Sequence, residues 1–308
     1  MRLLTTLFVT FLLPYAVAQS RPTITGISHI AVYTSDPNAT RQYYIHDIGL
    51  KEGSDPENPA GLRYYVNAEQ FVEVLPLPSS DSPNRLDHLG YRTTDAEALR
   101  LYLQAHGVTV PESVKTGTNG DRWFQVKDPE SNLVEFLQPS KRTISLTGAN
   151  PIGHRVIHVG MLVHSRETED KFYREVLGFK PYWFGGMKPD KLDWVSQQVP
   201  DGHEWLEYML TSGPSGSGIP ANISQKQLGV LDHLSLGVEN MEKAVTTLDS
   251  EDRLNNQHSG PQIGRDGKWQ FNLFDPDGIR LELMEFTNVK DPCCSPFTDL
   301  NPSPRGQP

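Results

Sequence analysis

The chain has 308 residues, of which 37% are hydrophobic and 21% are charged. This length and composition are typical of a globular protein of about two domains and exclude a largely disordered chain. The net charge of −10 at pH 7 argues against nucleic acid and anionic membranes as partners, because binding either would need a basic face.

Residues 1–18 have the layout of a secretory signal peptide. Arg2 precedes an apolar run from Leu3 to Leu13, and the small residues Ala16 and Ala18 follow. The run is shorter than the ~20 residues that a membrane-spanning helix needs. We therefore expect cleavage after Ala18 and a secreted or periplasmic protein, and no other stretch is apolar enough to cross a bilayer.

Four segments of the remaining chain open alike, each as a short β-rich run with a histidine near its start. They cover residues 26–36, 85–95, 156–166 and 230–240. A helix-start signal follows each run, which in the second is Thr94 with Glu97 three residues on. Gly49, Gly107 and Gly178 are stop signals for the first three helices. Alternating stretches typical of strands come next. The sequence therefore predicts a strand–helix–several-strands unit that occurs four times.

Each unit ends in a strand that carries a glutamate, at Glu73, Glu135, Glu207 and Glu282. Glu135 shares its strand face with Leu133 and Leu137, so it is expected to point inward. Burying a lone carboxylate costs several kcal/mol, and a divalent metal removes that cost. A single strand histidine usually only packs, and a strand glutamate usually faces solvent. The recurrence of four histidine–glutamate pairs at matched spacing favours a metal site for Zn, Ni, Mn or Fe(II).

Turn-rich spacers divide the chain into two pairs of units. We predict a first domain over residues 22–140, a linker over 141–153, a second domain over 154–288 and a flexible proline-rich tail over 289–308. The two cysteines, Cys293 and Cys294, are adjacent in this tail. Because neighbouring cysteines rarely bridge each other, no disulfide framework is expected.

The module order and the phrases "FYREVLGF" (172–179) and "QYYIHDIGL" (42–50) resemble the vicinal oxygen chelate superfamily. That superfamily includes glyoxalase I, extradiol dioxygenases, bleomycin resistance proteins and methylmalonyl-CoA epimerase. The resemblance implies an α+β fold of four βαβββ modules, paired into two half-open barrels that each hold a divalent metal. The implied ligands are His29, Glu73, His88 and Glu135 in one half, and His158, Glu207, His233 and Glu282 in the other.

The main functional hypothesis is an exported glyoxalase I-like lyase or isomerase that acts on a small oxygenated substrate. The glyoxalase I resemblance implies a fourth ligand on the last strand of the first module, which Glu73 and Glu207 supply. Glu207 and Glu282 then also serve as catalytic carboxylates for proton transfer between adjacent carbons. The oligomeric state is left open.

Two alternatives remain. An extradiol ring-cleaving dioxygenase with non-haem Fe(II) would use His158, His233 and Glu282, with His203 as a catalytic histidine. Against it, resemblance to that class implies a tyrosine three residues before the Asp-Pro turn, and this chain has Asn272 at that position. The other alternative is a non-catalytic small-molecule binding or resistance protein. The second half is the preferred active half because it contains His203.

Overall fold

The structure is a computed structural model that describes residues 20–78, 84–210 and 224–304. The predicted signal peptide lies outside the described residues. Within the described ranges, no helix is long and apolar enough to span a membrane.

The described residues form two curled eight-stranded sheets, one from each half of the chain. The first sheet consists of β1 (Ile24–Thr34), β2 (Lys51–Ser54), β3 (Leu62–Tyr65), β4 (Phe71–Pro76), β5 (Leu86–Thr93), β6 (Lys115–Thr116), β7 (Arg122–Lys127) and β8 (Leu133–Gln138). The second consists of β9 (Arg155–Val163), β10 (Lys180–Gly185), β11 (Trp194–Gln198), β12 (Trp205–Leu210), β13 (His233–Val238), β14 (Gln262–Ile263), β15 (Trp269–Phe274) and β16 (Arg280–Glu285).

The strand order is the same in both sheets. It is β2-β3-β4-β1-β5-β8-β7-β6 in the first and β10-β11-β12-β9-β13-β16-β15-β14 in the second. In each sheet the opening strands of two modules pair antiparallel at the centre, and each is flanked by the parallel last strand of its own module. The predicted α+β fold of four βαβββ modules is thereby confirmed.

Five α-helices connect the strands in the part of the chain that the structure describes. They are α1 (Pro37–Gln42), α2 (Ala96–Ala105), α3 (Arg166–Asp170), α4 (Gln225–Leu231) and α5 (Met241–Ser250), and α1 and α3 continue as π-helices over Tyr43–Asp47 and Lys171–Val176. Helix α4 was not predicted, because its residues were taken as part of a spacer. It begins with a capping box between Ser224 and Gln227.

The helix boundaries follow the predicted signals with two differences. Gly49, Gly107 and Gly178 have positive φ angles after their helices, as predicted. Asp95, rather than the neighbouring Thr94, caps α2 by accepting a hydrogen bond from the backbone N–H of Ala98. After α5, which has no glycine stop, Asp252 adopts a φ of 54° and takes the left-handed position.

The segment that follows each sheet folds back onto that sheet. After the first, Ile144 and Leu146 pack on a buried cluster of Tyr65, Phe71, Trp123 and Leu137. After the second, a segment that we call the C-terminal strap (residues 293–301) does the same. Phe297 packs on Tyr182 with ring centroids 5.0 Å apart.

The predicted flexible tail is thus replaced, over the strap, by a segment with defined contacts. The Trp183 side chain donates a hydrogen bond to the carbonyl of Cys293 at 3.2 Å, and the Gln198 amide donates to that of Leu300 at 2.8 Å. The expectation for the cysteines was also wrong, because Cys293 and Cys294 form a disulfide with each other. Since that bridge joins neighbouring residues, it does not link the two halves.

Candidate metal centres

The two histidines and two glutamates predicted in each half come together on the four middle strands of its sheet. We call the group on β1, β4, β5 and β8 the N-terminal centre; it comprises His29, Glu73, His88 and Glu135. The group on β9, β12, β13 and β16 is the C-terminal centre; it comprises His158, Glu207, His233 and Glu282. Strand alternation points all four side chains of each group to the same face.

In the N-terminal centre the two imidazoles face each other between the two carboxylates. Nε2 of His29 lies 2.8 Å from Nε2 of His88. A carboxylate oxygen of Glu73 lies 3.6 Å from His29 Nε2 and 3.5 Å from His88 Nε2, and the oxygens of Glu135 lie at the same two distances. All four residues are buried.

The C-terminal centre repeats this arrangement, but one of its glutamates is more exposed to solvent. Nε2 of His158 lies 3.0 Å from Nε2 of His233. Glu282 approaches His158 Nε2 to 3.2 Å, and Glu207 approaches His233 Nε2 to 3.5 Å. The Glu207 side chain is 15% exposed, against 4% for Glu73 in the N-terminal centre.

Outer contacts orient three of the four imidazoles. Asp87 lies 2.6 Å from Nδ1 of His88, and His233 Nδ1 lies 2.8 Å from the carbonyl of Leu231. An acceptor at Nδ1 fixes the proton there and leaves the Nε2 lone pair for a metal. Ser28 contacts Nδ1 of His29 at 2.8 Å. For His158 the ring is held instead by stacking on Trp205, with centroids 4.7 Å apart.

The electrostatics of the N-terminal centre fit a divalent cation. Burial, followed by the hydrogen bond with Asp55, raises the pKa of Glu73 well above its usual range. Burial and the charge of Glu57 do the same for the pKa of Glu135, and burial lowers the pKa of His29. One oxygen of each glutamate has no hydrogen-bond partner among the described residues. Two buried imidazoles and two carboxylates that each have an oxygen without a partner are a donor set that a metal ion completes while displacing protons.

In the C-terminal centre the pKa of the last-strand glutamate is shifted in the opposite direction from that of its N-terminal counterpart, Glu135. Burial alone would raise the pKa of Glu282, but the hydrogen bond with His158 and the charge of Arg280 lower it to about 2. Burial and Arg280 lower the pKa of His233 to about 4. An ionised carboxylate and a neutral imidazole are the forms that ligate metal, so this centre also fits a divalent ion.

Sequence reasoning missed the glycines that make room for the imidazoles. Gly90 faces His29 across β5 and β1, and Gly160 faces His233 across β9 and β13. A Cβ atom built at either glycine would overlap the facing imidazole. The signal was present, because Gly90 and Gly160 each follow a predicted ligand histidine by two residues.

We expect Gly160→Ala to displace His233 and to weaken metal binding at the C-terminal centre. Changes to residues that merely orient a ligand cost about 10–100-fold in affinity, and a direct overlap should reach that range. Metal titration of the purified variant measures the effect. Gly260→Ala is the matched control, because a Cβ there meets no atom within 4 Å. Equal affinities in both variants would contradict the proposed close fit.

The structure does not bring His203 into the ligand group. It lies in the turn before β12, two residues ahead of Trp205, and its backbone carbonyl accepts a hydrogen bond from Gln198 at 3.0 Å. Its Nδ1 atom has no hydrogen-bond partner among the described residues. Asn272 lies directly across from Glu282, and its counterpart Gln125 donates a hydrogen bond to Glu135 at 3.1 Å.

A family model fits both sheets. The model of the Glyoxalase/Bleomycin resistance protein/Dioxygenase superfamily matches residues 26–136 and 155–283. The chain belongs to this superfamily. The resemblance inferred from the sequence is therefore confirmed, and each half is one copy of the superfamily's fold.

Within the superfamily, relatives of two lengths match. The chain is 25% identical over 300 residues to an iron-dependent extradiol dioxygenase of Rhodococcus jostii (strain RHA1), which covers 87% of this chain and 91% of the relative. It is 25% identical over 123 residues to the protein YwbC of Bacillus subtilis (strain 168), covering 36% of this chain and 96% of YwbC. Among solved structures, the 2,3-dioxygenase LapB from Pseudomonas sp. KL28 superposes with a TM-score of 0.62 at 18% identity, covering 94% and 97% of the two chains.

These findings favour the second functional hypothesis over the first. The relative that matches along both halves is a dioxygenase and not a lyase. At 18% identity, the structural similarity to LapB supports a shared fold and does not bear on the reaction. A divalent metal fits the donor groups, and iron is the metal named for the full-length relative.

Proposed function

We propose that this protein is an Fe(II)-dependent extradiol dioxygenase that opens aromatic rings bearing two neighbouring hydroxyl groups, with its working metal in the C-terminal centre. The observation that carries the proposal is the grouping of His158, His233 and Glu282 on three adjacent strands. Two histidines and one carboxylate suit non-haem Fe(II) and leave positions open for substrate. The full-length similarity to an iron-dependent extradiol dioxygenase supports it.

The C-terminal centre is preferred because the space beside the N-terminal centre is filled. Arg63, paired across the strands with Glu73, is buried and lies 3.3 Å from Asp55 and 3.4 Å from Asp121. The corresponding position beside Glu207 is Ser196, a much smaller residue. The side chain beside Glu207 is therefore smaller than the one beside Glu73.

The proposal gives roles to two histidines of the C-terminal centre and to two residues outside it. A ferrous ion held there would supply the redox chemistry with oxygen and the positive charge that draws two neighbouring substrate oxygens. Trp205 holds the His158 ring and forms an apolar wall beside it. His233 is held by the Leu231 carbonyl with Nε2 towards the other ligands. His203 is proposed to accept a proton from the substrate hydroxyl.

A lyase or isomerase is the second candidate, and Glu207 is the observation that favours it. Its carboxylate lies 3.5 Å from His233 Nε2, which makes a fourth ligand available. A carboxylate that both ligates and releases the metal can move a proton between adjacent carbons. Burial raises the pKa of Glu207, but the hydrogen bond with His233 and the charge of His158 keep it below its usual value.

Oxygen consumption separates the two candidates. We expect the full chain loaded with Fe(II) to consume oxygen with catechols and to form ring-opened products that absorb visible light. Loading with Ni(II) or Zn(II) should give no oxygen uptake. Solvent-proton exchange into a 2-hydroxyketone by the Ni(II) or Zn(II) protein, with no oxygen uptake by the Fe(II) protein, would support the lyase instead.

Export and the class of partner remain proposals from the sequence. The charge of −10 supports a small-molecule substrate rather than nucleic acid or a membrane surface. The layout of residues 1–18 supports a secreted or periplasmic location.

A further inference from the structure

Lys268 is a buried cation without a hydrogen-bonding partner for its side chain. It directly precedes β15, its exposed fraction is 0%, and its Nζ atom makes no hydrogen bond among the described residues. Buried ammonium groups are rare unless they are paired, since removing the charge from water costs several kcal/mol. A buried ammonium group without a hydrogen-bonded acceptor is therefore a candidate for binding an anion.

Two aromatic rings surround this ammonium group. Its Nζ lies 4.8 Å from the ring centroid of Trp205 and 5.2 Å from that of Phe297. Trp205 stacks on the metal-ligand residue His158, and Phe297 belongs to the C-terminal strap. The cation is thus one aromatic ring away from the C-terminal centre, beneath a segment that is not part of the sheet.

Nearby acids do not neutralise it through hydrogen bonds. Asp266 Oδ1 accepts hydrogen bonds from the backbone N–H of Lys268 at 3.2 Å and from the Gln270 amide at 3.3 Å. Burial lowers the pKa of Lys268 to about 8, against the opposing charges of Asp266 and Glu282. The side chain is therefore still mainly protonated at neutral pH.

The N-terminal half also contains a buried cation, Arg63, and its carboxylate partners can be compared with the surroundings of Lys268. By strand register, Asp121 occupies the position that Lys268 has in the C-terminal half, since each precedes the strand that pairs with a ligand glutamate. Asp121 lies 3.4 Å from the buried Arg63, which also meets Asp55 at 3.3 Å. The buried cation of the N-terminal half therefore has its carboxylates within the chain.

The distance from the metal ligands suits a substituted ring. Asn272 faces Glu282 of the C-terminal centre and follows Lys268 by four residues. At ~3.3 Å per residue, this places the two Cα positions roughly 13 Å apart along the strand. The flexible Lys268 side chain covers part of that span, and a single ring with a short substituent would cover the rest.

We infer that Lys268 binds an anionic substituent of the substrate, so that the preferred substrate is an aromatic diol that carries a carboxylate. The two hydroxyl groups face the C-terminal centre and the carboxylate meets Nζ of Lys268. This inference rests on the proposed dioxygenase function for the diol part of the substrate. It assigns Lys268 as a specificity-determining residue.

The test compares two probes that differ in the carboxylate. Binding of 3,4-dihydroxyphenylacetate and of 4-methylcatechol to the Fe(II)-loaded full chain is measured by calorimetry without oxygen. We expect the acid to bind about tenfold more tightly or better, because a charge-assisted hydrogen bond is stronger than one between neutral groups. In Lys268→Met the acid should lose that advantage while 4-methylcatechol binds as before.

A matched control tests whether removing any lysine beside an aromatic ring has the same effect, and a second variant is available if the first does not fold. Lys115→Met removes an exposed cation that lies 4.3 Å from the Trp123 ring centroid in the N-terminal half, and it should change neither affinity. If Lys268→Met does not fold, Lys268→Gln replaces it. Equal binding of the two probes by the wild type, failure of both to bind, or a preference that survives in the variant, would overturn the inference.

Oxygen uptake with the same probes distinguishes the two proposals. Under the inference, Lys268→Met raises KM for the acid about tenfold or more and removes the difference in KM between the two probes. A preference for the acid that depends on Lys268, together with no oxygen uptake by the wild type, would support the anion site and refute the dioxygenase. Oxygen uptake with equal KM for the two probes would do the reverse.

Discussion

Replacing His233 with alanine will remove the metal ion from the C-terminal centre and abolish oxygen-dependent ring cleavage. The ring is buried and its Nε2 atom faces both His158 and Glu207, so the substitution removes a direct ligand. Loss of a direct ligand should exceed the about 100-fold affinity loss that follows from removing an outer partner. Iron per chain and oxygen uptake with a catechol measure the two effects.

His88→Ala is the matched substitution in the N-terminal centre. His88 has the equivalent position on β5 and approaches His29, Glu73 and Glu135 within 3.5 Å. We expect this variant to lose the metal of its own centre but to retain ring cleavage. Loss of activity in His88→Ala, with the C-terminal metal still bound, would move the active centre to the N-terminal half.

In the metal-free protein, Glu135→Gln will raise the free energy of unfolding at pH 7, whereas Glu282→Gln will lower it. Burial raises the pKa of Glu135 in the folded chain, so ionisation opposes folding and stability falls as the pH rises above about 4.5. The pKa of Glu282 is lowered to about 2, so its ionised form stabilises the fold above about 4.5 and this is lost as the pH falls towards 2. A shift of that size corresponds to something on the order of 3 kcal/mol.

Urea denaturation in the presence of a chelator measures both variants. With metal added, the sign for Glu135→Gln should reverse, because the wild type then gains binding free energy that the variant lacks. A ligand at about 100 times its dissociation constant contributes roughly 2.7 kcal/mol. If Glu135→Gln is as destabilising without metal as Glu282→Gln, the assigned difference between the two carboxylates is wrong.

The fold and the ligand groups could be predicted because the sequence repeats the same module four times. Every module places its histidine on the first strand and its glutamate on the last, and strand alternation then brings each pair to one face. The contacts around the ligands could not be predicted. The phrase Leu-Asp-His-Leu occurs at 86–89 and again at 231–234. Its aspartate contacts the neighbouring histidine in the first case, Asp87 with His88, whereas Asp232 accepts a hydrogen bond from the backbone of Leu162.

The reaction was harder to predict than the site. Lyases and dioxygenases of this superfamily use overlapping sets of histidine and glutamate, so the presence of Glu207 favoured the lyase on ligand count alone. The contacts that bear on substrate choice come from distant parts of the chain, as with Lys268 and Phe297. The proline-rich composition of the tail gave no indication that Phe297 would pack over the C-terminal sheet.

The central antiparallel pairing of each sheet has a consequence for assembly. One module contributes a single histidine and a single glutamate, so no module can hold a four-ligand ion by itself. Two modules form each sheet and together supply its four candidate ligands. A protein such as YwbC, which matches only 36% of this chain, is about as long as one such pair. In this chain both pairs are present, and one can diverge while the other keeps its chemistry.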